Sequence, residues 1–292
     1  MSRTLKRKEV TFGWAMVGTY LAYTALFWGY PFIWMFVLTF SKWNFVSKIR
    51  FVGFQNFQRI FLDPTFWRIF LNTINFLAYL VPMTLIASLL YALALTKVKY
   101  LRSFVIFGFL VANVSSGVAY SIMFSNLFAV NGPVNRLIYS LFGVTVPWFS
   151  HPQLAIFSIC LMIIWKFVGY YGLIIYAGLQ AIPQSVIEAA RIEGATERAI
   201  FMRITLPLLN PSLVTVTILV TTLTFGIFTE PYMITGGGPM QRTMTPLMYM
   251  YDTAFRRINP SYATVVAFMT ALISFCLVML IKRLLEKEVS FE

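Results

Sequence analysis

The chain has 292 residues, of which 59% are hydrophobic and only 11% charged. Soluble domains carry about 25% charged residues, so an ordinary water-soluble fold is excluded. The net charge of +13 would suggest nucleic acid in a soluble protein, but Lys and Arg here flank apolar runs, where they set membrane orientation.

Apolar stretches recur along the chain, and each is long enough to cross a hydrocarbon core of ~30 Å. The residues therefore predict an all-α membrane protein forming a single domain, 1–292, with six transmembrane helices. A basic flank, Arg3, Lys6, Arg7 and Lys8, precedes a first span over 11–39, whose Trp28, Tyr30 and Trp34 suit an interface. No small-residue cleavage site follows this run, so it is not read as a removed signal peptide. Ser41–Arg68 is too charged to span; it reads as a surface loop with a short amphipathic helix ending near Asp63–Pro64.

The second span covers 70–95, with Pro82 as an expected kink. Lys97, Lys99 and Arg102 form a basic turn, and the third span covers 104–128. Residues 131–153 form an outer loop, then a fourth span covers 154–179 with Lys166 at its centre. The fifth span covers 208–229. A second outer loop follows, in which Gly236–Pro239 reads as a tight turn rather than a phosphate nest. The sixth span covers 262–281 and a charged tail ends the chain.

Six spans place both termini on one side, taken as cytoplasmic because the basic N-terminal flank and the Lys97–Arg102 turn lie close to span ends. The five basic residues of Ser41–Arg68 run against that bias. Cys160 and Cys276 both sit inside apolar runs and read as unpaired apolar side chains.

Between the fourth and fifth spans lies 181–211, AIPQSVIEAARIEGATERAIFMRITLPLLNP, the only long segment in the second half of the chain that mixes charges of both signs with helical periodicity. Pro183 breaks the helix arriving from the fourth span. Ser185 and Glu188 have the spacing of a capping box. Ile187, Ala190, Arg191 and Gly194 fall on one helical face, and Gly194 fits a helix stop. Thr196 caps a second short helix bearing Ile200, Phe201 and Ile204. An ordinary loop with an interfacial helix is the plainer reading. Glu188, Glu193 and Glu197 make poor partners for anionic lipid, however, and the small Ala/Gly face suits protein contact.

Glu188-Ala189-Ala190, then Gly194, Ile204 and Leu206-Pro207, at these spacings, resemble the EAA loop of permease subunits of binding-protein-dependent ABC importers. FVGFQNFQRIFLDPTFW, NGPVNRLI, WKFVGYYGLIIYAGLQAIP, TGGGPMQRTMTPLMYMYDTAF and PSYATVVAF resemble signatures of the carbohydrate-uptake branch. Glu193 stands where that branch usually has Asp before the glycine, and keeps the charge. The resemblance implies a cytoplasmic coupling helix seated on an ATPase subunit, with Ile187, Glu188, Ala189, Ala190, Arg191 and Gly194 as the contact set. It also implies a second, homologous permease, two ATP-binding subunits and a periplasmic or lipid-anchored extracellular solute-binding protein. The location implied is a bacterial or archaeal cytoplasmic membrane, with membrane lipids around the chain and no nucleic acid.

No segment matches GxxxxGK[ST], so no ATP site is expected in this chain; ATP and Mg would be held by the partner ATPases. Proton-driven carriers place acids inside spans, and here only Glu230 comes near one. Lys166 with Tyr170, and Glu230, Tyr232 and Asn126, are candidates for the substrate pathway. Lys166 also reads as a structural lysine paired with a carbonyl or snorkelling toward an interface, and Glu230, Tyr232 and Asn126 each as an interfacial residue capping a helix end. The competing readings are a stand-alone carrier or channel and a membrane enzyme. A lone histidine, two aspartates and separated cysteines leave no metal or catalytic cluster.

Overall fold

A computed structural model describes the backbone of residues 3–98 and 100–286, with side chains from residue 12 onward. The basic side chains of Arg3–Lys8, Lys99 and Lys287 therefore lie outside the described residues, as does the end of the charged tail. The chain is 78% helical, and its β-structure among the described residues is one two-stranded hairpin. Of the two architectures that satisfy backbone groups in lipid, this leaves the helical one.

In chain order the elements begin with α1 (Arg3–Thr24), a π-turn (Ala25–Gly29) and α2 (Tyr30–Thr39). The hairpin β1 (Ser41–Lys42) and β2 (Arg50–Phe51) and the short α3 (Gln55–Phe61) follow. Next come α4 (Pro64–Lys97), α5 (Arg102–Val114), α6 (Gly117–Leu127), α7 (Pro133–Phe142) and α8 (Pro152–Ala181). Then follow α9 (Gln184–Ile192), α10 (Glu197–Ile200), a π-turn (Phe201–Thr205), α11 (Leu206–Leu208) and α12 (Asn210–Phe225). The chain closes with α13 (Thr229–Ile234), α14 (Pro246–Tyr251), a π-turn (Asp252–Arg256) and α15 (Pro260–Leu285). Among the described residues four helices are long and apolar enough to cross a membrane: Phe12–Thr39, Pro64–Lys97, Pro152–Ala181 and Pro260–Leu285. Two further apolar stretches pass the same test only as bent pairs.

Residues 104–128, read from sequence as one span, are such a pair. Helices α5 and α6 meet at 100°, because Ser115 and Ser116 take extended backbone with ψ of 146° and 131°. The Ser115 hydroxyl bonds the Ala112 carbonyl at 2.6 Å and covers one of the groups the break exposes. The fifth stretch is bent too, by 61° between Glu197–Leu208 and Asn210–Phe225. Helix α12 stays compatible with lipid despite its threonines: Thr217, Thr221 and Thr224 each donate to the carbonyl four residues back at 2.7 Å.

Contacts divide the chain into two compact units. In the first (Met1–Asp63 with Met250–Phe268), Phe40 gathers Phe36, Phe54 and Phe57 at ring distances of 5.2–5.5 Å. Asn56 of α3 donates to the carbonyls of Thr39 and Ser41, tying α3 to the end of α2 and to β1. The hydroxyl of Tyr262 donates to Asp63 at 2.6 Å, and Arg59 lies over the Tyr262 ring.

In the second unit (Pro64–Tyr249 with Met269–Glu292), α8 is the central rod, packed on α4, α5 and α12. Its glycines permit the approach. A Cβ on Gly169 would stand 2.5 Å from Cβ of Phe109, and one on Gly172 would stand 3.1 Å from the Ser88 carbonyl. Small residues at helix contacts are how membrane helices gain packing without a hydrophobic drive. The buried core formed there includes Phe76, Leu80, Ile159, Ile163, Ile175 and Val216.

Candidate functional site

The polar segment between α8 and α12 folds as a helical hairpin. Helix α8 ends at Ala181; Ile182 and Pro183 turn extended, and α9 starts at Gln184. The expected capping box does not form. Pro183, not Ser185, occupies the N-cap and no side chain caps α9, since the helix begins before Ser185 is reached. The helix stop is as expected. Gly194 is left-handed (φ +80°), its N–H bonds the Arg191 carbonyl, and the Ala195 N–H bonds the Ala190 carbonyl, both at 3.0 Å. This is a complete Schellman motif. Thr196 caps α10 by accepting from the Ala199 N–H at 3.3 Å, again as expected.

Across the turn the Arg191 Nε donates to Glu197 Oε1 at 2.8 Å, and this carboxylate raises the Arg191 pKa from its ordinary value. Both side chains are well exposed, so the pair fixes geometry more than it stabilises. Ala190 is buried against its own chain, and Ile187 packs on the core that holds Ile175, Ile182 and Leu209. Of the predicted face, Ile187 and Ala190 therefore seat α9 on its own bundle, while Arg191 and Gly194 are exposed. Also exposed are Ser185, Glu188, Ala189 and Ile192, four residues of one helical face. Ile192 is 87% exposed and was not singled out from sequence. Its signal was an apolar residue three positions after Ala189, at a helix end. Helix α9 is joined to α8 through Ile182–Pro183 on one side and leads through α10 and α11 to α12 on the other.

A second constellation lies inside the second unit. Lys166 and Glu230, both buried, meet through a residue that sequence reasoning missed. The Tyr120 hydroxyl donates to Glu230 Oε1, while Lys166 Nζ sits 4.5 Å above the centroid of the same ring. The tyrosine thus faces a cation with its π-surface and an anion with its hydroxyl. Each interaction polarises the ring in favour of the other. Buried charges require such partners. Gly117 sets the fit, since a Cβ there would lie 3.2 Å from Thr229 Cγ2, which brings α6 against α13 and Tyr120 against Glu230. Glu230 is accordingly buried. It lies in the first turn of α13 after the break at Gly226–Phe228.

The other pathway candidates have local contacts of their own. Asn126 is exposed and donates to the Ile122 carbonyl of its own helix. Tyr170 is turned outward at 42% exposure, its ring edge on Tyr171. Tyr232 stacks on Phe228 at 4.9 Å.

Lipid-length helices broken at two places, a buried charge cluster, and a rigid polar hairpin joined to two of the rods define a membrane transport component. The sequence matches the family described as binding-protein-dependent transport system inner membrane component over residues 61–290, and the chain belongs to that family. It is similar to the lactose transport system permease protein LacF of Rhizobium radiobacter, 34% identical over 283 residues covering 93% of this chain and 94% of that one. The sulfoquinovosyl glycerol transport system permease protein SmoG of Agrobacterium fabrum is 35% identical over 232 residues, 78% of this chain and 74% of that one. Among solved structures, a chain of a bacterial ABC transporter importing the acidic polysaccharide alginate superposes with a TM-score of 0.81. It covers 97% of this chain and 98% of that one at 19% identity, and so shows the shared fold.

Proposed function

We propose that this chain is a six-span permease subunit that encloses, with a second homologous permease, the translocation path of an ATP-driven sugar importer. Two ATP-binding subunits dock on the cytoplasmic side, where both termini and residues 181–211 lie, and they hold the ATP and Mg that this chain does not bind. A solute-binding protein delivers substrate from outside. Relatives named for lactose and sulfoquinovosyl glycerol transport support a sugar-type solute, and family membership sets aside the stand-alone carrier.

The observation that carries the reading is the α9 hairpin, a Schellman-closed lever with Glu188, Ala189 and Ile192 outward and Ile187 and Ala190 seated inward. Closure of the ATPases pushes on α9, and α8 and α12 tilt with it. Lys166 lies on α8, which such a tilt moves, against Tyr120 of α6 and, through it, Glu230 of α13, and the three form the polar part of the path. Proteoliposomes holding the assembled complex and its binding protein test this. Uptake of a labelled sugar that needs lumenal ATP and stops when Ile192→Asp is introduced is the expected result. Uptake driven by a proton gradient without ATP contradicts it.

A further inference from the structure

At one end of α8 the second unit holds an open cleft of about 310 Å³ lined by side chains of α4, α8 and the loop after α13. Asn75 and Tyr79 come from α4, Gln153 from the first turn of α8, and Met240 and Arg242 from the loop. Two amides, a phenol and a guanidinium thus converge on one space, and none of its lining residues is a carboxylate.

The loop that presents Arg242 is fixed. Buried Asn72 donates to the carbonyls of Gln241 and Met244 at 2.6 and 3.2 Å, tying the loop to α4. Thr235 and Thr243 share a hydroxyl–hydroxyl bond of 2.6 Å, and Thr243 also donates to the Gly238 carbonyl. Met240 and Gln241 take positive φ of 53° and 59°, a conformation that non-glycine residues hold only when their surroundings impose it. The strain lies in the two residues immediately before Arg242, and the ties hold it there.

The guanidinium itself forms no ion pair or hydrogen bond among the described residues. A planar fork of donors, carried on a fixed loop and left open, matches a planar oxyanion. Amide groups beside it match sugar hydroxyls, and the Tyr79 ring, half-exposed against Phe157, offers a face to sugar C–H groups.

We propose that this cleft is a binding subsite for an acidic sugar unit, with Arg242 taking the carboxylate and Asn75 and Gln153 the hydroxyls. The sugar part of the assignment rests on the uptake reading above; the oxyanion part rests on the cleft alone.

The test titrates the full-length protein in lipid nanodiscs with methyl β-glucoside, methyl β-glucuronide and sodium sulfate, by calorimetry or saturation-transfer NMR. The glucuronide differs from the glucoside only in a carboxylate, and a charge-assisted pair makes it bind about tenfold more tightly. Arg242→Gln lowers it to the glucoside's affinity, and Arg242→Lys keeps part of the preference. Arg242 is exposed, so neither variant is expected to shift the unfolding temperature. Equal binding of the two glycosides overturns the proposal, as does a preference that survives Arg242→Gln. Sulfate binding as tightly as the glucuronide also overturns it, by leaving an anion site without sugar recognition. Loss of ATP-dependent uptake with the glucuronide preference intact supports the subsite and counts against the permease reading alone.

Discussion

Tyr120 is the residue on which two buried charges depend. Replacing it with Phe keeps the ring under Lys166 and removes the hydroxyl from Glu230, leaving a buried carboxylate without that donor. The cost expected is about 1–3 kcal/mol, read as a lower unfolding temperature in nanodiscs. Lys166→Met removes the cation from above the Tyr120 ring and leaves the anion buried, which is expected to lower the unfolding temperature. The double variant Lys166→Met with Glu230→Gln is expected to be more stable than Lys166→Met alone, because no uncompensated charge remains. Strictly additive losses in that cycle would mean the two residues do not act as a unit. Lys166 and Glu230 were both legible in the sequence as ionisable groups in or near apolar runs. Tyr120 was not, since one tyrosine among the chain's many aromatics carries no sign of what its hydroxyl meets.

At the scale of the element, the α9 hairpin is held by Gly194. Its φ is +80° and nothing lies within 4 Å of where a Cβ would be, so a substitution there meets backbone strain and not crowding. Gly194→Val is expected to open the turn at a cost of ~1–2 kcal/mol and to separate ATP hydrolysis from uptake. Gly194→Asn, which tolerates the left-handed region, is expected to retain most coupling. Equal behaviour of the two variants in a coupled uptake and hydrolysis assay would remove the turn geometry from the account. The spacing of Gly194 and Thr196 made this turn readable in advance, whereas the capping box failed because Pro183 already starts the helix. Which face of α9 turns inward was not readable: Ala190 and Ala189 are alike in sequence, and only burial in the folded chain separates them. The break at Ser115–Ser116 was hidden for a related reason. An apolar stretch keeps its hydropathy whether straight or bent, and two serines in it are compatible with either.

For the whole molecule, composition and the length of the apolar runs were enough to establish a helical membrane protein, because lipid leaves so few backbone solutions. The packing around α8 was less visible, although Gly169 and Gly172 were in plain view. Gly169→Leu is expected to force α5 off α8 and reduce folded yield, since overpacking a fitted helix contact costs about 1–3 kcal/mol. An unchanged melting temperature would mean that the contact at Phe109 can relax. The proposed orientation, with α9 inside the cell, predicts that a single reporter cysteine at Glu188, placed in a background lacking Cys160 and Cys276, reacts with an impermeant thiol reagent only after the membrane is opened.

The most direct measurement is a photo-crosslinker installed at Ile192 in the intact membrane. A lever gripped by an ATPase predicts a covalent adduct with a nucleotide-hydrolysing subunit, strengthened or weakened by ATP. Adducts with phospholipid alone, at Ile192 and Ala189 alike, would contradict it.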